Sequence, residues 1–288
     1  MKQAFRYKRF SSSIKELIRR SMHIVEEYQG QNIRLTLRQL YYQLVSRGVI
    51  ANSQKEYSKI SRVLTDARYT GLIDWNMIED RVRVPKLPNH FDNISDLIES
   101  AISAYRLNRW EGQEYHVEVF CEKDALASVL YPVAHEWHVA FVVNRGYASA
   151  TAMYDTANRL IRSGRKAVIL YLGDHDPSGL DMIRDIEARI EEFGVRISVV
   201  PIAITAEQIS TYNPPPNPAK ITDTRATDYI HRHGPYSWEV DALPPDILQS
   251  LVKENIKYYV DINLMNKVKR KEKRDISNLR GWKDKQKD

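Results

Sequence analysis

Apolar residues in the first seventy positions recur at helical spacing, whereas those after position 113 gather in short runs and alternations. The chain therefore reads as a helical part followed by an α/β part. Ile14, Leu17, Ile18, Val25 and Tyr28 share one helical face, with Ser13 and Glu16 as a capping box in front and Gly30 as the stop. A short extended piece over 33–35 leads to Thr36, which caps a helix over 37–47 that Gly48 ends. A third helix is predicted over Gln54–Tyr69, with Ile60, Val63, Leu64 and Ala67 inward and Lys55, Lys59, Arg62 and Arg68 on the outer face. Beyond Gly71, the alternation of Arg81, Val82, Arg83 and Val84 predicts a strand. Pro85, Pro88 and Asn89 break the pattern, and a linking helix over 94–107 follows. Strands are then predicted over 115–121 by alternation, over 139–143, and over 168–172 as a buried apolar run. Helical segments follow over 124–135 and from Ser178, the latter with Leu180, Ile183, Ile186 and Ile190 on one face. A cluster of prolines at 214–218 marks a surface loop, and helices over 247–256 and 258–268 come last.

Three helices followed by a strand-like extension make a plausible winged helix, whose third helix would enter a DNA major groove; a small helical domain with a charged outside fits the same pattern. At 288 residues and 43% hydrophobic, the chain can build two domains of ordinary size. The divisions expected are a basic arm (1–12), a helical domain (13–88), a linker helix (89–112), an α/β domain with C-terminal helices (113–262) and a basic tail (263–288). The formal net charge of +6 is modest but concentrated at the ends. Lys2, Arg6, Lys8, Arg9, Lys15, Arg19 and Arg20 face only Glu16 in the first stretch, and residues 267–274 read KVKRKEKR. Such runs form solvated faces or meet a polyanion. The single cysteine, Cys121, excludes an internal disulfide and a Cys-based zinc site, and is expected to pack within its strand. No apolar run approaches the ~20 residues that cross a bilayer, and no signal pattern opens the chain. The expectation is a cytoplasmic, nucleoid-associated protein with no membrane partner.

The chemistry gathers where predicted strands end. Gly173 closes the run 168–172, and Asp174 and Asp176 follow at once. In an open α/β sheet ligands bind at the carboxyl ends of strands. Hard cations such as Mg²⁺ are held by one or two carboxylates plus substrate phosphates. The same spacing also makes an Asx turn that caps the next helix. Glu122 ends the strand over 115–121, so two strand ends can bring Glu122, Asp174 and Asp176 around one ion. Lys123 is placed to touch phosphate or to stand in solvent. His175 is a general acid or, on a tight loop, points to solvent, and Asp181 reaches the ion through water or lies on the helix surface. Glu239 and Asp241 are outlying candidates for supporting contacts.

Strand, glutamate, helix, then strand, Asp-x-Asp, helix resembles the Toprim domain over about residues 113–202. The longer stretch GDHDPSGLD (173–181) resembles the Toprim of topoisomerase VI A subunits and of the meiotic double-strand-break transesterases. Residues 38–42, Arg-Gln-Leu-Tyr-Tyr, match the Arg-x-x-x-Tyr motif that this family carries in a winged-helix domain ahead of the Toprim. On a helix Arg38 and Tyr42 share a face. A phenol has a pKa of ~10 and needs a neighbouring cation to become a nucleophile, and a guanidinium supplies that charge and grips phosphate. Leu37, Leu40, Tyr41 and Leu44 equally form an ordinary core stripe, in a chain with 17 tyrosines. Arg145-Gly146-Tyr147-Ala148-Ser149 is similar to a Gly-aromatic-Pro-Ser stretch of the family, with Ala148 where proline is usual, and residues 238–243 resemble its Glu-x-x-Ala-Leu segment. Together the resemblance spans about residues 30–260, and within the family the chain looks most like the small, solitary A-like proteins of bacteria and phages.

The resemblance implies an α/β fold: an N-terminal winged-helix (CAP-like) domain and a Rossmann-like Toprim domain with a mostly parallel sheet. It implies double-stranded DNA cleavage by Tyr42, with Arg38 as its partner, Tyr41 as packing, and a 5′-phosphotyrosyl intermediate. Glu122, Asp174 and Asp176 would hold Mg²⁺, or Mn²⁺ in its place, with Glu122 also catalytic. Lys55, Lys59, Arg62, Arg68 and Lys123 would contact DNA. A homodimer is implied, in which the tyrosine of one protomer meets the Toprim of the other. The chain carries no ATP-binding module, so strand passage would need a separate B-type ATPase subunit. Two other readings stay open: a metal-dependent nuclease that uses water while Tyr42 is only core, and a DNA-binding protein without catalysis.

Overall fold

Side-chain caps set where the N-terminal helices begin. In the computed structural model, which describes residues 2–78 and 90–285, Ser11 rather than Ser13 accepts the Ile14 N–H and caps α1 (Ser12–Gln29). Glu16 joins no capping box; its carboxylate instead takes the guanidiniums of Arg19 (2.6 Å) and Arg20 (2.9 Å), stronger partners than one backbone N–H. Thr36 and Gln39 form a full capping box at the start of α2 (Leu37–Ser46), and Ser53 caps α3 (Gln54–Tyr69). The extended piece expected over 33–35 is a loop in which Ile33 and Leu35 are buried, with no neighbouring strand to pair with among the described residues. The predicted strand at 81–84 and the proline break after it lie outside the described residues. The linking helix is α4 (Ile94–Ala104).

Residues 2–10, read from the sequence as a loose arm, dock on the end of α3. The Phe5 and Arg6 N–H groups donate to the Tyr69 carbonyl (2.8 and 3.2 Å). Arg6 and Lys8 pair with Asp66 at 2.8 and 2.5 Å.

The α/β part is mixed in content around a four-stranded, all-parallel sheet in the order β2-β1-β3-β4. In chain order come β1 (Tyr115–Cys121), α5 (Ala127–Glu136), β2 (Ala140–Val143), α6 (Ala150–Ser163), β3 (Lys166–Leu172), α7 (Pro177–Glu192) and β4 (Ile197–Ala203). The helix expected over 124–135 opens as a short 3-10 turn, Asp124–Leu126, before α5. Alternation along β1 and β3 sends Val117, Val119, Cys121, Val168, Leu170 and Leu172 to one core. Phe120, Ala167, Ile169 and Tyr171 go to the other, beneath Met153 and Leu160 of α6 and Met182 and Ile186 of α7. Both faces are thus covered, as parallel sheets require. The chain leaves β1 toward α5 on one face and β3 toward α7 on the other, which opens a crevice between the carboxyl ends of these two adjacent strands.

After β4 come α8 (Ala206–Tyr212), a two-residue antiparallel ladder of β5 (Asn217–Pro218) with β6 (Tyr236–Ser237), and α9 (Ala226–His233) between its strands. Two long helices follow, α10 (Pro245–Tyr258) and α11 (Ile262–Lys285). The stretch read as a basic tail is therefore helical: Met265 is buried, Glu272 pairs with Arg109 (2.7 Å) and Lys283 with Glu99 (2.8 Å), which anchors α11 while Lys267, Lys271 and Lys273 are exposed. No helix among the described residues is long and apolar enough to cross a membrane.

Candidate active site

Two glycines make room at the crevice. A Cβ on Gly173 would sit 2.4 Å from the buried Tyr171 ring, and one on Gly179 would sit 2.1 Å from the Asp174 carbonyl oxygen. Without side chains at these positions, the first turn of α7 closes tightly over the end of β3. Asp174 and Glu122 meet in that space: the Glu122 Oε2 accepts the Asp174 N–H at 3.0 Å, and the Glu122 N–H donates to the Leu172 carbonyl at 2.8 Å.

The segment after β6 completes the surroundings. His175 and Trp238 exchange backbone hydrogen bonds (2.8 and 3.1 Å), and the Val240 N–H donates to Asp174 Oδ1 at 2.9 Å. This pairing carries Glu239 and Asp241 to the carboxylate pair. Lys123 Nζ lies 2.5 Å from Asp174 Oδ2 and 3.4 Å from Glu239. The sequence reading of Lys123 as a phosphate contact or a solvated lysine gives way to a salt-bridged residue, because two carboxylates already face it.

Burial, followed by the charge of Asp174, pushes the Glu122 carboxyl up to about 7. Burial also raises Asp174, with Lys123 opposing. Asp241 is fully buried and is pushed up to about 7 by that burial, with Arg38 and Lys123 opposing. Four acidic groups thus share two cations, and the site gains from added positive charge.

Hard oxygen donors with surplus negative charge suit Mg²⁺, and Glu122 and Asp174 fit it. Asp176 does not converge with them. Its Oδ1 accepts the Gly179 N–H (2.6 Å) and the Ser178 hydroxyl (2.9 Å), so it caps α7, the Asx-turn alternative of the sequence reading. Among the described residues no group of three His, Cys, Asp or Glu side chains is placed to hold a metal ion.

His175 is also placed differently from expectation. It is 4% exposed, its Nδ1 is 2.9 Å from the Tyr229 hydroxyl, and its ring packs on His233 and Trp238. Paired backbone and a ready apolar niche draw it inward. Asp181 is bound up with Arg184 (2.7 Å), Arg225 (2.8 Å) and the Tyr147 hydroxyl (2.6 Å).

The tyrosine pair lies on α2, which packs on the turn Val240–Ala242 of the same chain. Arg38 pairs with Glu239, and its Nε lies 3.0 Å from Asp241. Its guanidinium stands 5.9 Å from the Tyr42 ring centre. Tyr41 packs edge-on against Tyr42 and Tyr57 and bonds to Asn52 (2.9 Å). Tyr42 is 4% exposed, yet it lines a cleft of about 370 Å³ together with Arg38, Tyr57, Asn217 and Glu239. Burial, then Asp241 and Glu239, raise the Tyr42 pKa, with Arg38 pulling the other way. Arg38 is thus committed to carboxylates in this state, and the phenol keeps its proton rather than standing as a phenolate.

The remaining cations of the sequence reading divide. Lys55, Lys59 and Arg62 are exposed on α3, with Lys59 paired to Glu56 (3.0 Å). Arg68 is half-buried and donates to the Ile78 carbonyl (3.0 Å), a structural role.

Comparison with protein-family models and with curated proteins finds no match to this chain.

Proposed function

We propose that the chain cleaves double-stranded DNA by transesterification, with Tyr42 as the nucleophile in an N-terminal winged-helix-like domain and Glu122 and Asp174 at the carboxyl end of a Toprim-like sheet. The observation that carries this reading is the unbroken line of ion pairs from the tyrosine helix to the strand ends: Arg38 to Glu239, Glu239 to Lys123, Lys123 to Asp174. A tyrosine that served only as core would need no such connection to a buried, charge-starved carboxylate pair.

The residues then have these roles. The Tyr42 oxygen attacks a DNA phosphorus, the bond to the 3′ oxygen breaks, and the protein is left joined to the 5′ end. The phenol proton passes to Glu239, which lines the same cleft. The leaving 3′ oxygen takes a proton from solvent; the broken P–O3′ bond is replaced by the phosphotyrosyl bond, so the bond energy is kept and the break can be resealed. Arg38 turns from Glu239 and Asp241 to the attacked phosphate and offsets its charge as the phenol oxygen approaches. A Mg²⁺ held by Glu122 and Asp174 would supply charge stabilisation for the phosphate and the leaving oxygen. In this arrangement the tyrosine and the carboxylates belong to one chain, so a double-strand cut needs two such chains across the duplex, each with its own site.

A water-using nuclease is the second reading, and the burial of Tyr42 is what favours it. Supercoiled plasmid incubated with the protein and Mg²⁺ or Mn²⁺, with and without protease before electrophoresis, separates the two. The transesterase yields broken DNA that enters the gel cleanly only after proteolysis, and Tyr42→Phe abolishes it while DNA binding persists. Protein-free 5′-phosphate ends, unchanged in Tyr42→Phe, would establish the nuclease, and binding without any cutting would remove both.

A further inference from the structure

The N-terminal arm is held in place and its cations line a hollow. Besides the backbone bonds to Tyr69, Ala4 bridges to Thr70 and the Arg6 guanidinium lies 4.3 Å from the Tyr69 ring centre. Between arm and α3 runs a cleft of about 420 Å³, rimmed by Lys8, Arg9, Lys55, Lys59 and Arg62. Its floor is apolar, with Phe10 and Val63. The one acid among its walls, Asp66, is already held by Arg6 and Lys8.

This cleft is not isolated. A neighbouring hollow of about 410 Å³ shares Arg62 and Asp66 with it and shares Gln54 and Tyr57 with the cleft that holds Tyr42. A path therefore runs from the arm, along α3, to the tyrosine. Cations on the rim match the phosphates of a nucleic-acid strand. Along α3 the stretch from Gln54 to Arg62 rises about 12 Å. That spans about three to four phosphates of one strand.

We propose that residues 2–11 and α3 form the two walls of a nucleic-acid channel leading to Tyr42, with the arm gripping the roughly three to four phosphates of the strand that lie along α3 beside the tyrosine's cleft. The proposal rests on the transesterase reading for its endpoint, but its test reads binding alone. Binding of a short duplex is measured across a salt series in the Tyr42→Phe protein, where no covalent product forms. Adding Arg9→Gln and Lys55→Gln, both exposed residues, lowers the slope of log affinity against log salt by about two, at about 0.9 for each phosphate no longer neutralised. The same number of neutral substitutions on α11, Lys271→Gln with Lys273→Gln, leaves the slope unchanged. Circular dichroism checks that both doubles stay folded. An unaltered slope in the arm and α3 double, an equal drop in the α11 double, or a parent protein that binds no duplex would each overturn the channel. Absence of covalent adducts with Tyr42 intact, alongside the predicted slopes, would instead overturn only the transesterase reading.

Discussion

Glu122 is where a single side chain reports on the whole site. Its folded-state pKa of about 7 stands above its ordinary value of 4.5, through burial and then Asp174. Between those two values the folded chain binds more protons than the unfolded one, so this residue's contribution to stability falls as pH rises through that window. Above about 7 the cost is carried in full. Glu122→Gln removes the charge and keeps an oxygen for the Asp174 N–H. Without divalent metal, it is expected to be more stable than the parent by about 1–3 kcal/mol at pH 8 and nearly equal at pH 5, by thermal unfolding. A variant less stable than the parent at pH 8 would show that Glu122 is held by partners that favour its charge. Glu122 and Asp174 were legible in the sequence because each follows a strand pattern directly. The parts played by Glu239 and Lys123 were not, since they depend on the His175–Trp238 backbone pairing across 63 residues, which no local pattern encodes. His175 misled for the same reason: a loop position flanked by two acids reads as solvated until Tyr229 and Trp238 are seen to cover it.

Among the elements, a helix and a strand with strong periodicity were readable at both ends, whereas the capped helices α2 and α4 stop at Ser46 and Ala104, short of the 47 and 107 expected. The third helix, Gln54–Tyr69, and the strand Tyr115–Cys121 lie where the pattern put them. Element ends governed by competition were not. Ser11 and Ser13 both offer a capping hydroxyl, and the choice is decided by which one the arm leaves at the helix start. The basic run after position 263 is helical because Met265 and Glu272 on one face find partners elsewhere in the fold. Alternation along β1 also could not reveal Glu118, which points into the face under α6 and is neutralised there by Arg159 at 2.8 and 2.9 Å. The junction of β3 and α7 gives the sharpest test at this scale. Gly179→Ala puts a methyl 2.1 Å from the Asp174 carbonyl, so the helix start and Asp174 must part. The expected loss is about 1–3 kcal/mol of stability, together with weaker Mg²⁺ binding by titration calorimetry. Retention of both would mean that the close approach is easily relaxed.

At the scale of the molecule, the sheet topology was readable only in part. The Toprim resemblance implied a mostly parallel sheet, and the four strands are all parallel with the two acidic ends adjacent at its centre. How the helical part meets the sheet part was not legible, because it rests on Arg38 reaching acids some 200 residues later. That contact joins the helix of the candidate nucleophile to the segment that packs on Asp174, and the account stands or falls on whether Tyr42 becomes bonded to DNA. The most direct measurement is mass spectrometry of protein incubated with duplex DNA and Mg²⁺, followed by nuclease and trypsin. The account predicts that the peptide over 39–47 carries a nucleotide through a phosphate on Tyr42, with Tyr41 unmodified. Cut DNA accompanied by an unmodified peptide would contradict it.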